Sequence, residues 1–418
     1  MKSILIDGSV LEGGGQILRN SISLSALLGK PVSIRKIRFA RTPPGLKNQH
    51  RTGLHLAAEI ASARLTGATN GSTDIEFVPG RICLPGTFTA DSITAGSTTL
   101  LLQIALPLLL FAPSSVAACT SGSAPTPTLA PAPVQRSELI LKGGTNATQA
   151  PQIDYTQHVF LPFFHRHFLP SSPSPSPSSL SSSPKPPCID LQIIRRGYFP
   201  KGGGEVRVHV TPVSRLHGFS LMNRGRVLRV GGIAHFAGLP MGVGREMVVG
   251  ARRRLARVDE LGDHEGVNGG EGGEGGGEGK GPRMAIEYKR ERNEDTKGAG
   301  SGIVLWAELE GGGVVGGSAV GRKGVDPARV GAEAAEELVR GLEAGGCVDE
   351  WLQDQIVIFM ALAEGRSEVR CGRGGLALHT QTAIWVAEQL SDAKFEVEED
   401  STGHTVIRCQ GIGYTARQ

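Results

Sequence analysis

The chain has 418 residues, 39% hydrophobic and 20% charged, which is enough for two domains that each bury a substantial core. A formal net charge of +4 is small for that length and excludes a long duplex-wrapping surface, so any nucleic-acid contact must come from local arginine clusters. The six cysteines offer no CxxC pair and no Cys/His spacing that would build a zinc site, so they read as reduced intracellular thiols.

In chain order, MKSILIDGS runs straight into a strand expected over Ser3–Ile6, with no basic region, long apolar core or small-residue cleavage site; no secretion is expected. Ile17, Leu18, Ile22, Leu24, Leu27 and Leu28 keep helical spacing up to Gly29, a suitable C-terminal stop. The run VSIRKI, a helical pattern over Leu46–Leu65 and the strand DIEFV follow. The most apolar stretch, Thr98–Ala112, is interrupted by Gln103 and Pro107 and falls short of the roughly 20 residues that span a bilayer, so it reads as a buried helix and no membrane partner is expected.

The same alternation returns with helices near Gly96–Ala112 and Ile153–Phe168 around ELILK, and again with helices near Val348–Glu364 and His379–Leu390 around EVRC, before KFEVEE. This predicts an α/β fold in which a threefold repeated α/β unit forms a large domain. Strands near Val227–Phe236, Met284–Tyr288 and Ile303–Leu309, with helices near Gly242–Val258 and Asp326–Glu343, break the pattern and predict a smaller inserted α/β domain. The expected layout is two units over 1–213, the insert over 214–346 and the third unit over 347–418. Pro113–Arg136, Leu169–Pro187 and Asn268–Gly281 are Pro/Ser- or Gly/Glu-rich and are expected to be disordered insertions.

Several motifs carry chemistry. In DGSVLEGGGQILR, Asp7–Arg19, a strand ends in a glycine-rich turn that opens a helix, a geometry that lets backbone amides approach a phosphate; a purely structural strand-to-helix turn is the alternative. Glu12 is the unusual member, because a carboxylate beside a phosphate repels it unless a divalent cation lies between them. IRKIRFARTPPGLKNQH offers Arg35, Arg38, Arg41, Lys47, Gln49 and His50, whose arginine forks suit phosphate oxygens; a solvated basic face is the alternative. Gln103 in TAGSTTLLLQIALP reads as a ligand group or as a satisfied core amide. Glycine-rich turns recur in GGTNATQAPQIDY and RRGYFPKGGGEV. His379, at a helix start in LHTQTAIW, is either a helix-end hydrogen bonder or a nucleophile toward phosphorus, with Asp354 of VDEWLQDQ a candidate to hold its other ring nitrogen or a metal.

Together, DGSVLEGGGQILR, the R-x-x-R-x-x-PGL-x-x-QH pattern from Arg38 to His50, TAGS…LLLQ…LP, KGGTNA…APQIDY, RRGYFPKGGGEV, EWLQDQ…MALA and HTQTA resemble the RNA 3'-terminal phosphate cyclase family, in family order. The resemblance implies conversion of RNA 3'-phosphate ends to 2',3'-cyclic phosphates with ATP and Mg²⁺ or Mn²⁺, through AMP carried on a histidine. It implies catalysis by His379 and ATP contacts from Gln103, Pro151, Trp351, Asp354, Gln355 and His379. Arg19, Arg38, Arg41, Gln49 and His50 would handle the phosphates and the RNA end, and Glu12 the metal. An intracellular protein is expected, for which eukaryotic members of the family imply a nuclear location, with the cytoplasm as the alternative. A second branch, cyclase-like proteins of ribosome biogenesis, lacks the histidine and implies a noncatalytic RNA binder; His379 favours the enzyme. Two positions depart from the pattern: Trp351 where tyrosine is usual, and Ala40 where glycine is common.

Overall fold

The computed structural model describes residues 3–111, 136–170, 187–258, 261 and 282–416. Of the expected insertions Pro113–Arg136, Leu169–Pro187 and Asn268–Gly281, residues 113–135, 171–186 and 268–281 lie outside the described residues, and Leu169 packs against the core.

The first unit runs β1 (Ile4–Asp7), α1 (Gly15–Leu28), β2 (Val32–Arg35), α2 (Asn48–Ile60), β3 (Arg64–Thr66) and β4 (Ile75–Val78), with the sheet in the order β1-β2-β4-β3. Strands β1 and β2 are parallel and the other pairings antiparallel. Gly29 caps α1 in the left-handed conformation, as the spacing predicts. The helical pattern to Leu65 is cut short: the chain turns at Ala61–Ala63, and Leu65 is covered as a strand residue paired with Phe77.

The second unit repeats the order with β5 (Thr87–Asp91), α3 (Thr98–Leu109), β6 (Ser137–Gly143), α4 (Ile153–Tyr155), a π-helical turn (Thr156–Phe160), α5 (Leu161–His167), β7 (Ile189–Arg195) and β8 (Gly204–Val210). Its sheet order is β5-β6-β8-β7, again with only the first pair parallel. The third unit begins with β9 (Ser220–Leu221), two residues that pair parallel with β14 (Arg366–Arg370). It continues through α8 (Glu350–Leu362), α9 (Leu378–Leu390), β15 (Lys394–Glu399) and β16 (Thr405–Gln410), in the order β9-β14-β16-β15.

Thus the extra segment does not sit between the second and third units. It leaves the third unit after its first strand and returns before that unit's first helix. Leu216, Phe219 and Leu221, inside the stretch expected to be inserted, are buried in the core shared by the three units. The extra segment comprises β10 (Val227–Ala237), α6 (Gly242–Leu255), β11 (Arg283–Arg290), β12 (Gly300–Leu309), β13 (Val314–Val320) and α7 (Pro327–Glu343), and packs both helices on a separate hydrophobic core.

Helix packing is cyclic. The second helix of each unit meets the first helix of the next: α2 with α3, the π-turn with α8, and α9 with α1. Helix α1 is central, with every residue from Gln16 to Leu28 buried except Arg19. Among the described residues, no helix is long and apolar enough to cross a membrane.

Candidate active site

The turn between β1 and α1 is built for close approach. Asp7 closes it by accepting from the Ser9 amide at 2.9 Å and the Ser9 hydroxyl at 2.6 Å. Those bonds, with Lys36 at 2.9 Å, hold its carboxyl down to about 2. Glycines then leave room for three functional side chains. A methyl group at position 14 would fall 1.9 Å from Glu12 Oε1, and one at position 15 would fall 2.9 Å from Arg19 Nη1 and 3.1 Å from His50 Nε2. Glu12, Arg19 and His50 therefore converge over a surface that only glycine leaves open.

The charge states follow from this packing. Burial, with Arg19, Arg38 and Lys47 nearby, lowers His50 to about 3, so the ring is neutral at ordinary pH. Its Nδ1 accepts from the Lys47 amide at 3.1 Å, which leaves the proton on Nε2, directed at the Gly15 surface. Arg19 donates to the Gln16 side chain, while its buried Nε has no protein partner. A neutral donor and an unsatisfied guanidinium edge beside a bare turn suit an anion.

Glu12 supplies the opposite charge. Its Oε1 meets Arg41 Nη2 at 3.4 Å, and its Oε2 is buried without a hydrogen-bond partner. That orphaned oxygen fits a divalent cation. Among the described residues no group of three or more His, Cys, Asp or Glu converges, so a cation here would take most of its ligands from phosphate oxygens and water. Arg38 is more structural than its spacing suggests: its Nη1 donates to the Gly45 carbonyl at 2.8 Å and Pro43 at 3.3 Å, fixing the loop that carries Arg41.

Gln49 bridges units, accepting from the Ser97 amide at 2.8 Å at the start of α3. His379 is exposed in the first turn of α9. Thr382, one turn further, accepts from the Glu12 amide at 3.2 Å and so ties the start of α9 to the glycine-rich turn.

Gln103, Asp354 and Gln355 gather in a different place, a small cavity between α1, α3, the π-turn and α8 where Gln16, Asn20 and Thr99 stand among Leu102, Leu106, Phe160 and Ile358. Pro151 adjoins it, its carbonyl accepting from Thr99 Oγ1 at 2.9 Å. Asp354 does not hold the His379 ring; no hydrogen bond joins them among the described residues. It is turned inward instead, and burial pushes its carboxyl up to about 7 despite the charge of Arg19. Trp351 lines a third cavity with Glu337, Arg340, Arg373 and Ala377, and donates from Nε1 to Glu337 Oε1 at 2.7 Å.

A model of the RNA 3'-terminal phosphate cyclase family matches residues 10–397. The chain belongs to the RNA 3'-terminal phosphate cyclase family. An RNA 3'-terminal phosphate cyclase from Pyrobaculum neutrophilum is 36% identical over 412 residues, 99% of each chain. One from Drosophila melanogaster is 36% identical over 414 residues, covering 99% of this chain and 98% of that one. One from Methanopyrus kandleri is 36% identical over 413 residues, 98% of this chain and all of its own.

Within this member of the family, sequence reasoning missed Gln16, Asn20 and Glu337. The first two were within reach, because Gln16, Arg19 and Asn20 stand at i, i+3 and i+4 and must share one helical face. Glu337 was not, since it reaches Trp351 only through the packing of α7 beside α8.

Proposed function

We propose that the chain converts an RNA 3'-phosphate to a 2',3'-cyclic phosphate with ATP, through AMP carried on His379. The supporting observation is the cleft where Glu12, Arg19, Arg41 and His50 meet over Gly14–Gly15, with α9 tethered beside it through Thr382. A phosphate monoester cannot readily lose oxide to a neighbouring hydroxyl, so it must first gain a leaving group.

In the first step a His379 ring nitrogen attacks the α-phosphorus of ATP and pyrophosphate departs. An oxygen of the RNA 3'-phosphate then attacks the same phosphorus, and the P–N bond breaks to free the histidine. Finally the 2'-hydroxyl attacks the 3'-phosphorus, its proton passes to solvent, and AMP leaves. Arg19, Arg41 and the Nε2–H of His50 neutralise phosphate oxygens throughout, while Arg38 braces their loop. Mg²⁺ or Mn²⁺ bound at Glu12 would withdraw charge from the α-phosphate and the leaving group. Gln103, Asp354 and Gln355, with Pro151 adjoining them, would line the ATP side, and Trp351, from the cavity it shares with Glu337, would offer an apolar face for adenine.

The test is incubation with α-labelled ATP and a divalent cation, followed by denaturing electrophoresis. Wild-type protein should carry an acid-labile label that His379→Asn loses, and RNA 3'-phosphate should cyclise only with the former. A label that persists in His379→Asn would remove the histidine from this role. RNA binding with neither adduct nor cyclisation would instead mark a noncatalytic scaffold.

A further inference from the structure

The three most exposed large hydrophobic side chains among the described residues all stand on loops: Ile93 at 74%, Phe199 at 68% and Phe39 at 66%. Ile93 is also held at φ +62°, a conformation costly for a β-branched residue, with its amide fixed by Asp91 Oδ1 at 2.7 Å. Strain and solvent exposure in one apolar residue give the folded chain nothing by themselves.

The loops abut in sequence. Phe39 lies between the anchored Arg38 and Arg41, in the segment leading to α2. Helix α2 meets the Ile93 loop through Gln49 to the Ser97 amide, and through Thr52 to the Asp91 carbonyl at 3.3 Å. The Phe199 turn rests on the same loop, Gly202 being so close to Thr94 and Ala95 that a methyl group there would lie 2.8 Å from the Thr94 carbonyl. Beyond it, Gly203 packs on the Lys297 side chain and Gly298 on that of Lys201, and both lysines are exposed. The three side chains and the two lysines thus follow one another as a strip over neighbouring loops, with exposed Glu294 and Asp295 close in sequence to Lys297.

We infer that this strip is the track for single-stranded RNA immediately upstream of the 3'-phosphate. Bases rest on Phe39, Ile93 and Phe199, and backbone phosphates meet Lys201 and Lys297. The inference rests on the cyclase reading and extends it from the reacting end to the body of the substrate. Apolar platforms interleaved with cations suit unpaired bases of any sequence, and the strip is continuous with the cluster that would hold the terminal phosphate.

Cyclisation is measured on a single-stranded oligonucleotide 3'-phosphate and on a dinucleoside 3'-phosphate, which carries a single nucleotide upstream of the terminal one. The combined variant Ile93→Asn, Phe199→Ala keeps a side chain tolerant of positive φ at position 93. It should raise KM for the long RNA about tenfold, leaving protein–AMP formation and KM for the short substrate unchanged. Lys201→Ala with Lys297→Ala should flatten the salt dependence of KM for the long RNA alone. Unchanged KM for the long RNA in both variants would overturn the inference and assign the exposed side chains to some other partner. Equal losses on both substrates would also overturn it, by putting these residues in the chemistry. Failure of wild-type protein to cyclise either RNA would sink the cyclase reading itself.

Discussion

Position 15 separates binding from folding more cleanly than any charged residue of the cleft. A methyl group there meets the far ends of Arg19 and His50, not backbone, so both side chains can swing aside. Alanine also favours the first turn of α1, by up to about 1 kcal/mol over glycine. Gly15→Ala should therefore melt at the same or a higher temperature while losing at least about tenfold in protein–AMP formation, since displaced donors no longer face the anion. Thermal melts beside a labelling assay decide the matter; a variant of normal activity would mean that the converging donors are not used. The sequence made the glycines conspicuous. It could not tell that His50, thirty-five positions away, approaches one of them.

Among the elements, α8 does two things at once. Its first turn is capped by Asp349, which accepts from the Leu352 amide at 2.9 Å, and its buried face carries Asp354 toward α1. Around Asp354 stand Arg19 and Glu12 from the first unit and Asp349 and Glu350 from its own helix. Burial raises Asp354 to about 7 and Asp349 to about 6, so the folded state holds protons that the unfolded chain releases near the ordinary carboxylate value of 3.8. The contribution of these two carboxyls to stability should then fall as pH rises from about 4 to 7, with its full cost present above that range, while the depressed His50 and His235 act in the opposite sense over part of the same window. Asp354→Asn should be more stable than wild type at pH 8 and little different at pH 4, by an amount on the order of a few kcal/mol. Urea titrations at the two pH values measure this, and parallel pH profiles for the two proteins would contradict it.

At the scale of the whole molecule, the extra segment is fixed to the second unit by a buried polar network. Arg196 bonds Asp154 in bidentate fashion at 2.6 and 2.7 Å and reaches Glu291 of the segment at 2.7 Å. Although burial disfavours its charge, Arg196 holds the Asp154 carboxyl well below the usual range. Burial and Arg196 lower His235 to about 3, so the ring is neutral as it bonds Tyr198 at 2.9 Å and Asn146 at 3.1 Å. Gln152 completes the joint by donating to the Ile303 and Ala319 carbonyls. Arg196→Met leaves Asp154 buried and unpaired, which should cost about 3–5 kcal/mol. The double variant with Asp154→Leu should recover part of that loss in chemical denaturation, and no recovery would argue against pairing as the source.

The sequence by itself determined the α/β class, the three repeated units, the extra segment and the family, because hydrophobic periods and glycine-rich turns are local patterns. It also assembled the candidate residues, whose types and spacing carry the resemblance. Only tertiary structure decided that β9 belongs to the third unit, since two residues have no period to read and become a strand only by pairing with β14. It likewise turned Asp354 away from His379, made Arg38 a brace and set Glu337 against Trp351. These are distances between segments far apart in the chain. They are fixed by how the helices of three units pack around α1, which no local pattern encodes.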